Sequence, residues 1–316
     1  MMNCMKMVNK LLRCPVIFYR LMIDLKNHTA NSVNSENQMT RIENQLSMCD
    51  NGVKDIIKNQ ILSRWQMVDA LDSLRFPDSY EVKCGICGYS NKKNTFEKKI
   101  SQCIFNGGTL ERFVCPACGV IFGPLKISCM NEAQLAEEYR QSYSVFSEGD
   151  STEAELNTFY SIAKDKNGVY LNFGAGAWSK TEKKIRNAGY IVYNYDPYAP
   201  ASHDEWLITD KDCLKNMKFD GIFSNNLLEH LQNPIETLIF MKSLLRDEKS
   251  QMAHSTPCYQ YLYEYTRFHL FFYTGTSLPY LCNKIGLEYT MQPVHADNPH
   301  YMNCIFSNSK IGRLQQ

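Results

Sequence analysis

Apolar and polar positions fall into three textures along this chain. Up to about residue 80 the sequence is polar-rich and shows no strand signals. An apolar stripe through Ile42, Leu46, Cys49, Val53, Ile56, Ile61, Trp65 and Val68 keeps close to a three-four spacing, which predicts an amphipathic helix. Gly52 weakens it in the middle. The stripe suits packing on the chain's own body or a helical seam with a second copy, though it is short for a sustained coiled coil. Residues 27–40, rich in Asn and Ser, read as a linker. Beyond about residue 131, short apolar runs at 169–173, 190–195, 206–209, 219–224 and 252–255 predict strands. Helical patterns at 180–188 and 234–245 lie between them. That rhythm predicts an α/β domain, a doubly wound parallel sheet with helices on both faces.

Between those regions, the texture at about residues 81–130 is set by cysteines. Cys84-Gly-Ile-Cys87 and Cys115-Pro-Ala-Cys118 are separated by 27 residues, and glycine follows each pair at once. Two intervening residues let a tight turn aim both sulfurs at one ion, and the glycine lets the backbone curl toward the second sulfur. Four thiolates fill a tetrahedral shell, so the spacing predicts a structural zinc ribbon. A redox motif is the alternative, but it would stand alone in a thioredoxin-like βαβ unit. The chain thus divides into a helical extension at 1–80, a ribbon at 81–130 and a larger α/β domain with its connector at 131–316.

Composition narrows the picture. Thirteen cysteines in 316 residues, with no secretory signal at the start, point to a reducing, cytoplasmic compartment where paired cysteines bind metal. The apolar stretch at 11–23 contains Arg13 and Arg20 and is shorter than a membrane span, which leaves a peripheral contact with a membrane surface as its one membrane role. A net charge of +1 argues against nucleic acid as the partner.

The strand at 169–173 leads into Gly174-Ala175-Gly176, a turn whose missing Cβ atoms let backbone approach a ligand closely. A second strand ends at Asp196, twenty positions beyond Gly176, where a carboxylate accepts hydrogen bonds from a ribose diol. Dinucleotide enzymes share this logic but want a third glycine to seat a pyrophosphate. Ser179 stands there, so a nucleoside ligand fits better.

With LNFGAGAW at 171–178, YNYDP at 193–197, FDGIFSNNLLEHLQNP at 219–234 and STP at 255–257, the region 169–307 resembles the class I S-adenosylmethionine-dependent methyltransferases, whose sheet is Rossmann-like. The resemblance implies S-adenosyl-L-methionine as cofactor. Gly174, Ala175 and Gly176 would pack against its methionyl part, Asp196 would hold its ribose, and Asn225 would flank its sulfonium side. Asn172 departs from the family, which usually has Asp or Glu there. It can accept a hydrogen bond but lacks the charge that favours the cofactor's amino group. With the ribbon and a Tyr-rich connector, the chain is similar to deoxysugar C-methyltransferases and to methyltransferases of surface-polysaccharide clusters. That similarity implies O- or C-methylation of a sugar, nucleotide-sugar or saccharide.

It also implies catalytic roles. In the sugar enzymes a Glu-His pair at the place of Glu229 and His230 acts as acid and base. A histidine that only holds the loop is the structural alternative. Tyr139 or Tyr143 from the connector, and His269, would contact substrate in those enzymes; here, packing competes with that role. Tyr259, Tyr261, Tyr263 and Tyr265 alternate, as on an exposed aromatic face or a half-buried strand. Two other functions stay open: an RNA base methyltransferase gripping RNA with the ribbon, and a noncatalytic binding module, which Asn172 favours.

Overall fold

The computed structural model describes residues 35–146, 149–176, 180–199, 205–293 and 300–308. The apolar stretch at 11–23 and the start of the stretch read as linker lie outside them. In chain order the elements are α1 (Ser35–Arg75), β1 (Glu81–Lys83), β2 (Ser90–Lys92), β3 (Glu97–Gln102), β4 (Thr109–Val114), β5 (Ile121–Phe122), α2 (Glu132–Val145) and α3 (Thr152–Tyr160). There follow β6 (Val169–Phe173), α4 (Thr181–Asn187), β7 (Ile191–Tyr195), β8 (Leu207–Ile208), β9 (Gly221–Asn225), α5 (Pro234–Ser243) and β10 (Gln251–Thr256). Last come β11 (Phe271–Phe272), α6 (Ser277–Ile285), β12 (Glu288–Pro293) and β13 (Met302–Ser307). No helix among the described residues is long and apolar enough to cross a membrane.

Seven strands form the main sheet in the order β12-β13-β10-β9-β6-β7-β8. The pairs from β10 to β8 are parallel, as the alternating apolar runs predict. β13 enters antiparallel between β10 and β12, so the sheet is mixed rather than wholly parallel. Sequence reading passed over both terminal strands. β13 is nearly continuously buried and has no alternation, and β12 carries Glu288, Thr290 and Gln292 at the sheet edge. The strand order reverses between β6 and β9. In open α/β sheets the crevice at the carboxyl ends of such neighbours is where ligands bind.

A second, four-stranded sheet has the order β11-β5-β4-β3, and its β11 comes from far along the sequence. Phe271 pairs with Phe122 and Phe272 with Ile121, joining the cysteine-bearing segment to the region after β10.

The stripe on α1 divides into two. Ile61 and Trp65 are fully buried, and Val68 packs on the same core, whereas Val53 and Ile56 are exposed. The buried half is fastened by ion pairs of Asp69 with Lys126 and of Arg64 with Glu138. Trp65 lies beneath the cations of Lys126 and Arg267, at 5.0 and 5.6 Å from its ring. The helix also begins earlier than expected. It takes in residues 35–40, where Glu36, Gln38 and Met39 are good helix formers. Tyr259 to Tyr265 form no strand: Pro257 opens a 3-10 turn, and Tyr263 sits at φ 58°, outside extended backbone.

Candidate functional site

Four of the five residues of β6 are buried, and the strand ends at Phe173, just before Gly174. The N–H groups of Gly174 and Ala175 both donate to the Tyr195 carbonyl, at 2.7 and 3.1 Å, folding the turn against the end of β7. Gly174 adopts φ 79°, and a Cβ there would come within 2.7 Å of Leu227 Cδ1 in the loop after β9, so the position requires glycine. Gly176, at φ 65°, donates its N–H to Asp196 Oδ2 at 2.8 Å. Among the described residues, a Cβ on Gly176 would meet nothing within 4 Å. Asp196 Oδ1 accepts from Tyr198 N at 2.8 Å. Two backbone donors therefore orient the carboxylate while each oxygen keeps lone-pair capacity for a diol. Ala177, Trp178 and Ser179 lie outside the described residues.

Asn225, at the end of β9, accepts from Ser255 Oγ at 2.6 Å. Asn226 beside it takes φ 51° and donates Nδ2 to the Tyr301 hydroxyl at 3.1 Å. Asn172 is buried in β6, in register with Asn194 of β7. Among the described residues its Nδ2 has no hydrogen-bond partner. Buried donors are normally satisfied, so this orphan is one a ligand's carboxylate would match. The glycine turn, the oriented acid and the orphaned amide together fit a nucleoside with an amino-acid tail.

Next to this cradle, a 3-10 turn at Leu228–His230 sets the acid and the imidazole. Glu229 is fully buried, accepts from Thr256 Oγ1 at 2.6 Å through Oε1, and leaves Oε2 without a partner among the described residues. Burial pushes its carboxyl up to about 7, against the pull of the Thr256 hydrogen bond. Burial pushes His230 down to about 4, so its ring is neutral and able to accept a proton at neutral pH. The Tyr139 hydroxyl lies 3.0 Å from His230 Nδ1, brought across by α2. The Tyr139 ring stacks on Phe268 at 4.3 Å and extends a row with Tyr143 and Tyr198 at 5.8 and 5.9 Å. Tyr143 itself is exposed. His269 stands 5.0 Å from the His230 ring, nearly perpendicular, and hydrogen-bonds the Tyr263 carbonyl through Nδ1 at 2.9 Å. Desolvation, then the neighbouring His230 and Arg112, hold His269 well below the ordinary imidazole range.

All four expected cofactor and acid/base segments thus converge at one end of the sheet. Sequence reasoning assigned no role to Thr256, Tyr198 or Phe268. Thr256 lies in the quoted STP stretch and Tyr198 two residues past Asp196, so their neighbours in sequence were the available signal.

The buried carboxyl has a measurable consequence. Because its pKa is about 7 in the fold and 4.5 as a free side chain, the folded state binds the extra proton between those values. Stability from this group is complete below about pH 4.5 and is lost as pH rises through 7, to a total of about 3 kcal/mol. Glu229→Gln keeps a group for Thr256 and removes the titration. Without added divalent cation, its melting temperature is expected to match the parent near pH 4.5 and to exceed it at pH 8. A lower value at pH 8 would mean that the acid is charged and stabilising there.

A family model described as a methyltransferase domain matches residues 150–292. Over that span the chain carries a methyltransferase domain. Among solved structures it is similar to 1,6-didemethyltoxoflavin-N1-methyltransferase of Burkholderia thailandensis at 14% identity and TM-score 0.45, over 63% of this chain and 98% of that one. Magnesium protoporphyrin IX methyltransferase of Synechocystis PCC 6803 is similar at 11% identity and TM-score 0.36, over 58% and 88%. Mitomycin 7-O-methyltransferase is similar at 11% identity and TM-score 0.41, over 57% and 59%. No curated protein matches.

The cysteine pairs dock directly on this methyltransferase domain. Both make the same turn: Gly88 N donates to Cys84 O at 3.0 Å and Gly119 N to Cys115 O at 2.8 Å, with φ of 81° and 73° at the glycines. The four sulfurs lie within 4.8 Å of one another, with Cys84–Cys118 at 3.8 Å and Cys87–Cys115 at 3.5 Å. A tetrahedral ion with metal–sulfur bonds of about 2.3 Å requires sulfur–sulfur edges of about 3.8 Å. The geometry therefore fits such an ion. Cys118 O accepts from Thr276 N at 2.8 Å, Gly119 O accepts from Thr274 Oγ1 at 2.6 Å, and a Cβ on Gly119 would meet Gly275 Cα at 2.9 Å. From β4, buried Arg112 donates to the carbonyls of Glu264, Thr266 and His269 at 2.8, 2.7 and 3.1 Å. Arg267 spans from Ser142 Oγ, at 2.6 Å, to the Phe105 carbonyl, at 2.9 Å. The segment carrying His269 is thus held by its own carbonyls on buried Arg112 and by buried Arg267 reaching out to Ser142 and Phe105.

Proposed function

We propose that the protein transfers a methyl group from S-adenosylmethionine to an oxygen or carbon of a sugar, nucleotide-sugar or saccharide. The observation that carries the reading is the Tyr139–His230 hydrogen bond. It brings a connector tyrosine onto the imidazole next to the cofactor cradle, where the resemblance to sugar methyltransferases puts a substrate contact. Bound against Gly174–Gly176 and Asp196, the cofactor supplies an electrophilic methyl on its sulfonium sulfur. Asp196 clasps the ribose diol, Asn172 meets the amino-acid tail and Asn225 flanks the sulfonium side. With Nδ1–H turned to Tyr139, His230 offers Nε2 as the base that takes the acceptor's proton, and buried Glu229 backs it as the acid. The row of Tyr139, Tyr143 and Tyr198, with His269 beyond, forms the acceptor's wall. Rate enhancement comes mainly from aligning the acceptor with the sulfonium.

In this reading the four cysteines hold a structural zinc ion, which suits a cytoplasmic, reducing setting. The exposed apolar residues of α1, among them Ile56, Met67 and Leu74, offer a face to a second copy of the chain. Calorimetric titration with S-adenosylhomocysteine tests the cradle. The parent protein is expected to bind, and Asp196→Ala to bind at least about tenfold more weakly, the loss of about 1.4 kcal/mol of hydrogen bonding to a charged group. Absence of heat with the parent at millimolar ligand would sink the assignment.

A further inference from the structure

One ring nitrogen of His230, one of His269 and a carboxylate oxygen of Glu229 lie within 4.8 Å of one another, remote in sequence from the four cysteines. Two neutral imidazoles and a carboxylate are the donors that divalent transition metals take when positions are left open for other ligands. Each side chain also has the kind of outer partner that orients a metal ligand. Thr256 Oγ1 fixes Glu229 Oε1 at 2.6 Å, Tyr139 meets His230 Nδ1 at 3.0 Å, and the Tyr263 carbonyl meets His269 Nδ1 at 2.9 Å. A hydrogen bond from Nδ1–H to that carbonyl leaves Nε2 of His269 with a lone pair. The second, independent observation is the other carboxylate oxygen. Glu229 is fully buried, and its Oε2 has no hydrogen-bond partner among the described residues. A buried acceptor left unpaired costs free energy that a cation removes.

We propose that Glu229, His230 and His269 form a second metal site, distinct from the four cysteines, that takes a divalent transition-metal ion such as zinc, cobalt or iron(II). Bound donors stand about 3–3.5 Å apart around such an ion, so the three side chains close by roughly 1 Å to grip it. His230 is mostly but not wholly buried, which gives the ion a narrow way in from solvent. The inference goes beyond the methyl-transfer reading and does not depend on it. Where both hold, they compete: a nitrogen occupied by metal is not available as a base, so the loaded protein is the slower one.

The test is a titration of the full-length protein, its cysteine site already filled with zinc, with cobalt(II) followed by visible absorption. One further equivalent is expected to bind with weak ligand-field bands and without the strong thiolate charge-transfer bands that exchange at the cysteines would give. Glu229→Gln and His269→Gln are each expected to weaken that equivalent about 10- to 100-fold, while the zinc content of the cysteine site stays at one and certifies the fold. No further equivalent at millimolar cobalt, or one that both variants retain unchanged, overturns the proposal. Neither result bears on cofactor binding, which the Asp196 titration reads separately.

Discussion

Cys118→Ser is expected to lose its metal and, with it, at least about a hundredfold of methyl-transfer rate, although Cys118 is no part of the cradle at Gly174–Gly176 and Asp196. A structural zinc contributes on the order of 10 kcal/mol or more to folding a small cysteine module. Without it, a segment of this size buries too little apolar surface to hold itself. The damage would travel. Cys118 and Gly119 supply the carbonyls that fix Thr276 and Thr274, and Arg112, one strand away, holds the three carbonyls around His269. Metal analysis, thermal unfolding and turnover should therefore fall together. Cys213→Ser, at an exposed cysteine outside the two pairs, is the control expected to leave all three unchanged. Full turnover in metal-free Cys118→Ser protein would show that the ribbon does not shape the catalytic end of the sheet.

His230→Ala carries the other large effect. General-base catalysis contributes about 10²–10⁴-fold, so turnover of an acceptor is expected to drop by that range. Cofactor affinity should not move, because the cradle at Gly176 and Asp196 makes no hydrogen bond to the imidazole. Tyr139→Phe, which removes the hydroxyl on Nδ1 but keeps the ring stacked on Phe268, is expected to cost about tenfold, near the value of one hydrogen bond to a developing charge. Retention of turnover within about tenfold in His230→Ala would reduce the histidine to a loop-holding role.

Much of this was legible in the sequence because its signals are local. The apolar strand before Gly174, the acid closing the next strand and the two cysteine pairs each depend on residues a few positions apart. What could not be read depends on distant partners. β13 is buried on both faces and sits between strands that it follows in sequence, so it has no alternation to declare it. The α1 stripe extends to both sides of Gly52, yet the part near Trp65 is the one that packs, with Lys126 and Arg267 over the indole. Likewise the resemblance marks His269 as a substrate contact, but its place against the His230 ring depends on the fold.

The pairing of β11 with β5 has a temporal side. Phe122 must wait for Phe271, so the cysteine module leaves the ribosome with an open sheet edge and a stretch of some 150 residues still to be made. Closing so long a loop slows assembly more than it weakens the finished structure. Early metal capture by the two knuckles would keep that edge ordered and out of reach of other chains until its own partner strand arrives.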